Sequence, residues 1–144
     1  MGKLETLTRA FFTEVWENED EAAIHRWMTP NLDAKGVLPK DVLGPDEFAA
    51  FHRALCALVT DIRISFTQVV ESGDWIAVHG RLDGAARATG APVGFTFHSM
   101  ARFEGEQFAV GYNALDYIAL FEQLGQIDEG ALGALLSGAK LARA

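Results

Sequence analysis

Asp116 stands inside an apolar run, in the segment GYNALDYIALFEQLGQI from Gly111 to Ile127. A carboxylate carried into a core has its pKa raised by desolvation, toward the working range of a general acid/base. Other chemically useful groups fall at alternating positions upstream. In an extended chain, side chains two apart share a face. Trp75, Ala77, His79, Arg81 and Asp83 therefore share one face of a strand, while Ile76, Val78 and Leu82 share the other. His98, Met100 and Arg102 share a face of the next strand, and Tyr112, Ala114 and Asp116 a face of the one after. If consecutive strands pair, these sets meet on one surface. Enclosed there, Asp116 could remove a proton beside a substrate carbonyl, and His98 could donate to the developing oxyanion. Asp83 could hold Arg81 as an electrostatic anchor. Such roles are typically worth about 10²–10⁴-fold each in rate. Tyr112, Asn113, His79, Met100 and Trp75 on the strands, with Trp27, Phe12 and Trp16 on the helices, are the candidate substrate contacts.

Plainer readings stand beside these. Asp is a favoured helix N-cap, so Asp116 could cap a short helix starting at Tyr117. Arg81 and Asp83 could be a solvated pair, worth about 0–1 kcal/mol. His98 could be a satisfied core or interface histidine. His25 and His52 lie beside charged neighbours and read as surface residues, and Cys56 as a small packed apolar group. The aromatics Phe11, Phe12, Trp16, Trp27, Phe48 and Phe51 read first as core, some of them lining any cavity. No His-x-x-x-His, Cys-x-x-Cys, glycine-rich phosphate loop or Gly-x-Ser-x-Gly elbow occurs, and the four His are dispersed. The expectation is no metal and no cofactor.

The elements that must position these residues follow from periodicity. Leu4, Leu7, Phe11 and Val15 recur at helical spacing, with Phe12 and Trp16 widening the stripe. NEDEAAIHRWM predicts a second helix, with Asp20 as N-cap and Thr29-Pro30-Asn31 as its stop. The stretch from Leu32 to Leu43 reads as a short strand and loop. GPDEFAAFHRALCALV opens a third helix on Pro45, with Asp46 and Glu47 suiting the dipole. After Thr60 the period becomes two. Strands are expected from Ile62, over Trp75–Asp83, over Val93–Phe103 and from Phe108 to about Asp116, separated by ESGD, GAARATGAP and EGEQ. Three helices followed by an antiparallel meander predict an α+β fold, a curved sheet wrapped on helices with a cavity on its concave side.

Bulk properties bound the function. At 144 residues the chain fits one domain with a sizeable core. The net charge of −8, with no Lys/Arg cluster, argues against nucleic acid. No apolar run approaches the ~20 residues needed to span a bilayer. No signal-like leader is seen, and the lone Cys56 rules out an internal disulfide. The expected location is cytoplasmic.

The element order resembles the nuclear transport factor 2-like superfamily of cone-shaped α+β barrels. Within it, FFTEVWENEDEAAI, ATGAPVGFTFHSMARFEGEQF and YNALDYIALFEQLG resemble the SnoaL-like polyketide cyclases. The resemblance covers roughly residues 4–127, and its most specific part is Asp116 followed by Gln123-Leu124-Gly125. It implies a single domain over 1–127 with a Gly/Ala-rich tail or short helix over 128–144. It implies a homodimer through the outer sheet face. It also implies a cofactor-independent enzyme acting on a small hydrophobic carbonyl compound, with Asp116 as acid/base. Tyr112 stands where the cyclases commonly carry Trp, and a Gly-Thr-His element of theirs is missing from the shortened loop. GRLDG followed by NALD resembles the limonene epoxide hydrolases, which would make Arg81, Asp83 and Asp116 an epoxide-opening set. The Tyr and Asn that hold water in those enzymes are absent from DAKGVLPKDVLG. A non-catalytic small-ligand-binding module is the alternative from a different class.

Overall fold

The computed structural model describes residues 1–141. Helix α1 spans Lys3–Phe11, and the chain continues through a π-helical stretch, Phe12–Glu17, that keeps Val15 and Trp16 buried. The second helix expected from the sequence is reduced to a 3-10 turn, Glu21–Ala23, and a single turn α2, Ile24–Trp27. Asp20 does not cap it. Its carboxylate lies 3.7 Å from Arg26 instead. The chain becomes extended already at Met28, because Thr29 and Pro30 favour strand over helix.

Strand β1 spans Met28–Lys35, β2 Val42–Leu43, and helix α3 Pro45–Leu58 with Pro45 in its first turn. Four long strands follow: β3 Val59–Ser72, β4 Trp75–Ala86, β5 Pro92–Glu104 and β6 Gln107–Leu115. Helices α4, Tyr117–Gln123, and α5, Ala131–Leu136, close the described chain. The expected tail thus holds a short helix, with Ala131 buried, and residues 142–144 lie outside the described part.

The six strands form one sheet in the order β2-β1-β6-β5-β4-β3. All neighbours are antiparallel except β1 and β6, which are parallel. Register shifts between Thr60 and Arg63, and between Phe66 and Gln68, mark bulges that bend β3. The sheet curls around α1, the π-helical stretch and α3. This is the expected α+β architecture.

Which face turns inward is decided by apolar area. Ile76, Val78 and Leu82 of β4, and Val93, Phe95, Phe97, Ala101 and Phe103 of β5, are all buried. Removing each such side chain from water contributes about 1.5–3 kcal/mol, so these positions take the concave side. The alternate positions, including His79, His98 and Met100, are left on the convex side. Within the core, Phe11 packs edge-on against Phe12, Trp27 and Phe108 at centroid distances of 5.2, 6.1 and 4.9 Å. Among the described residues no helix is long and apolar enough to cross a membrane.

Candidate functional site

The concave side encloses a cavity of about 90 Å³ between the sheet, α1 and α3. Phe12 and Trp16 line it, as the sequence suggested, together with Phe48, Phe51, Phe95 and Phe97. Besides the Trp16 indole, the polar side chains on the wall are Thr8, Ser99 and Asn113, and among the described residues none that lines it carries a carboxylate. Thr8 donates its hydroxyl to the Leu4 carbonyl at 2.7 Å, so its hydrogen is already committed. Ser99 and Asn113 sit opposite each other on β5 and β6. They occupy the apolar parity of their strands, beside Phe97, Ala101, Gly111 and Leu115.

Asn113 is oriented by the chain around it. Its Nδ2 donates to the Lys35 carbonyl at 3.1 Å, which fixes the amide orientation and leaves Oδ1 and a second N–H for another partner. The chain turns away after Lys35 through Gly36 at φ +80°. A Cβ there would meet the Asn113 carbonyl oxygen at 1.9 Å, so only glycine allows this approach. Val37, also on the wall, is held by a hydrogen bond from the Tyr117 hydroxyl to its carbonyl. Burial pushes the Tyr117 phenol up to about 12.

The three expected face sets do meet on one surface, in register: Ala77 opposite Met100 opposite Tyr112, and His79 opposite His98 opposite Ala114. That surface is the convex one. Tyr112, Met100, His79 and His98 border a shallow outer groove, and Trp75 stacks near Tyr112 at 6.3 Å. Met100 and Tyr112 are 44% and 43% exposed, and Val70 beside them 64%. The reversal has a simple cause: on each strand the alternate positions carry the larger apolar area and claim the interior.

The expected catalytic residues are placed accordingly. Asp116 is exposed, and its Oδ1 accepts from the Ala119 amide at 3.1 Å, capping α4. Its amide donates to the Thr96 carbonyl at 3.1 Å, ending the strand ladder. Arg81 donates to Asp83 at 3.0 Å on the convex face, with side chains 46% and 37% exposed. The pair lies across Gly94, where a Cβ would meet Arg81 Nη2 at 2.3 Å and Asp83 Oδ1 at 2.5 Å. Neither Asp83 nor Asp116 lines the cavity. Trp27 also misses the wall: its indole donates to Glu14 at 2.8 Å. That bond, seconded by Arg26, holds the Glu14 carboxyl below its ordinary value.

Two residues were misread or missed from sequence. His52, expected on the surface, is 2% exposed. Its Nε2 bonds the Val15 carbonyl at 2.6 Å, taking up an acceptor in the π-helical stretch, while its Nδ1 is buried without a partner. Ser99 is not among the candidates that the sequence suggests. The available signal was its alternation with Phe97 and Ala101, which marks the buried face. Cys56 lies half-buried, and burial pushes its thiol up to about 11, consistent with a packed, unreactive role.

Comparison with known proteins bears on this geometry. The family model of the SnoaL-like domain matches residues 8–110. No curated protein matches the chain by sequence. A SnoaL-like polyketide cyclase from Agrobacterium tumefaciens superposes with a TM-score of 0.69 at 17% identity, over 87% of this chain and 100% of that one. A hypothetical protein with a ketosteroid isomerase-like fold from Catenulispora acidiphila, in complex with trimethylamine, gives 0.70 at 12% identity, over 87% and 94%. AclR from Streptomyces galilaeus, provisionally described as a hydroxylase, gives 0.76 at 12%, over 94% and 95%. At these identities the likeness is one of fold, and the three names already differ in chemistry.

Proposed function

We propose, for a chain that belongs to the SnoaL-like domain family, that its concave cavity encloses a small, mostly apolar carbonyl compound and holds the carbonyl oxygen with Asn113 and Ser99. The observation that carries this is the wall itself: apolar nearly throughout, with one pre-oriented amide and one hydroxyl on facing strands. Ligand sites of this kind are lined by hydrophobic and aromatic groups with a few placed polar ones.

Size narrows the ligand. The free volume of about 90 Å³ is below the ~150 Å³ of an engineered apolar cavity that takes up benzene. The cavity as it stands admits a molecule of a few heavy atoms, and a larger polyketide would require the helices to move off the sheet.

Family membership supports cyclase- or isomerase-type chemistry. In this chain such chemistry would come from enclosure and orientation, which bring reacting atoms together. The Asn113 N–H and Ser99 O–H would stabilise charge developing on the carbonyl oxygen. Asp116 stays outside that scheme as a helix cap, and so do Arg81, Asp83 and His98. Neither a cavity acid/base nor an epoxide-opening pair is part of the proposal.

The test is a titration of the full chain with acetone and with 2-methylpropane, a hydrocarbon of matched size, followed by NMR. Both are expected to shift the methyl resonances of Leu32, Val78 and Leu115. Asn113→Leu and Ser99→Ala should each weaken the ketone several-fold and leave the hydrocarbon unchanged. Shifts confined to convex-face residues, or ketone affinity indifferent to both substitutions, would overturn the reading.

A further inference from the structure

We propose that His79 and His98 together bind a divalent transition-metal ion on the convex face of the sheet, independently of the cavity. Sequence spacing could not show this, because the two histidines lie on different strands. The β4–β5 register sets them directly opposite each other, with ring centroids 4.5 Å apart and planes inclined at 61°. Directly opposed side chains on one face of an antiparallel pair are the closest cross-strand neighbours a sheet offers.

The protonation pattern at His79 suits a ligand. The Thr67 hydroxyl donates its only hydrogen to the His79 carbonyl, at 3.0 Å. In the tautomer that carries its proton on Nδ1, the same oxygen accepts from that nitrogen. Nε2 is then left with a free lone pair. A ring N–H fixed by an outer partner, with the other nitrogen bare, is the arrangement found in metal-bound histidines. His98 is exposed and can turn either nitrogen to the same point.

The surroundings define what would bind. Gln68 continues the row on the far side of His79, and with Met100, Tyr112 and Ala114 it borders the same groove. The amide of Gln68 can hold a metal-bound water. Arg81, the nearest cation on that face of β4, is occupied by Asp83 at 3.0 Å. No group of three or more His, Cys, Asp or Glu side chains gathers among the described residues. The site therefore offers two imidazoles, with water in the remaining positions. Such a donor set favours Cu²⁺, Ni²⁺ and Zn²⁺ over Mg²⁺ and Ca²⁺, which need oxygen ligands. Since Phe97 and Ser99, the neighbours of His98, turn to the other side of the sheet, the ion would not touch a ligand in the cavity.

The test is calorimetric titration of the metal-free full chain with Ni²⁺ and with Mg²⁺, joined to electron paramagnetic resonance of the Cu²⁺ form. One Ni²⁺ per chain is expected, with no detectable Mg²⁺ binding, and the Cu²⁺ spectrum should carry coupling from two imidazole nitrogens. His79→Ala and His98→Ala should each lose at least tenfold in Ni²⁺ affinity. Thr67→Val should lose about tenfold, through the outer bond alone. His25→Ala, on an exposed helix, should change nothing. Unchanged Ni²⁺ affinity in His98→Ala, whose exposed ring is not needed for folding, would overturn the proposal. So would a Cu²⁺ spectrum without two imidazole nitrogens.

Discussion

Gln123 grips the backbone of Gly94 from both sides: its Nε2 donates to the Gly94 carbonyl at 2.7 Å, and its Oε1 accepts from the Gly94 amide at 2.8 Å. The pairing of β5 with β6 ends at Phe97 and Leu115, so Gly94 lies past the last strand partner on that edge. The side-chain amide replaces a missing strand residue and ties α4 to the sheet. Gln123→Leu should cost about 2 kcal/mol, because three neutral bonds are lost, one of them to the exposed Ala119 carbonyl, and the two partly buried backbone groups of Gly94 are left open. Gln123→Glu keeps the acceptor but sets an acceptor-only carboxylate oxygen against the Gly94 and Ala119 carbonyls, so it should cost at least as much as Gln123→Leu. Urea unfolding of the three proteins checks the order, and equal midpoints would refute it.

Asp116 carries a prediction that separates its two readings. As a cap, it needs only an oxygen that accepts from Ala119. Asp116→Asn keeps one and should stay within a few tenths of a kcal/mol of wild type, while Asp116→Ala should lose about 1 kcal/mol. Neither should alter binding of acetone in the cavity. A loss of ketone binding or turnover in Asp116→Asn, with stability intact, would return the carboxylate to the site.

Glu14 ties acid stability to an aromatic residue. The Trp27 indole, then the Arg26 guanidinium, hold its carboxyl below the ordinary 4.5 in the folded chain. A carboxyl depressed by folding contributes stability that is fully present above its unfolded value and is lost as pH falls through the lower folded one. The advantage of wild type over Trp27→Phe in thermal unfolding should therefore hold steady from pH 7 down to about 4.5 and shrink below it. An advantage that does not change with pH would remove this pair from the acid response.

The sequence exposed some parts of this and hid others for physical reasons. Strands β4, β5 and β6 and helix α3 were readable because each carries a sustained period, and Pro45 marks where α3 begins. The short α2 was overread because Ala23, Ile24 and Trp27 fit a helical stripe, although the strand-favouring Thr29-Pro30 cuts it after one turn. Parity along the strands was also right: His79, His98 and Met100 do share a surface with Tyr112. Parity does not choose the side; the apolar area of Ile76, Val78, Phe95 and Phe97 takes the interior and leaves these positions outside. Cross-strand distances, such as that between the two histidine rings, depend on register, which bulges set and composition does not reveal. His52 was misread because charged neighbours on a helix say nothing about the face one residue takes.

Tyr117 links the closing helix to the cavity and gives the last prediction. Its hydroxyl donates to the Val37 carbonyl, and Val37 forms part of the wall. Tyr117→Phe leaves that carbonyl without its donor and should cost about 1 kcal/mol. It should also weaken acetone binding, since the wall segment around Val37 loses the bond that ties it to α4. The alkaline side supplies an independent check. Burial raises the phenol from 10 to about 12, so the folded chain favours its neutral form. That contribution is complete below pH 10 and is lost as pH rises toward 12. Wild type should thus lose stability between these values faster than Tyr117→Phe, and the gap between the two unfolding midpoints should narrow. If the gap stays constant to pH 12, the phenol is not held in the wall as the geometry requires.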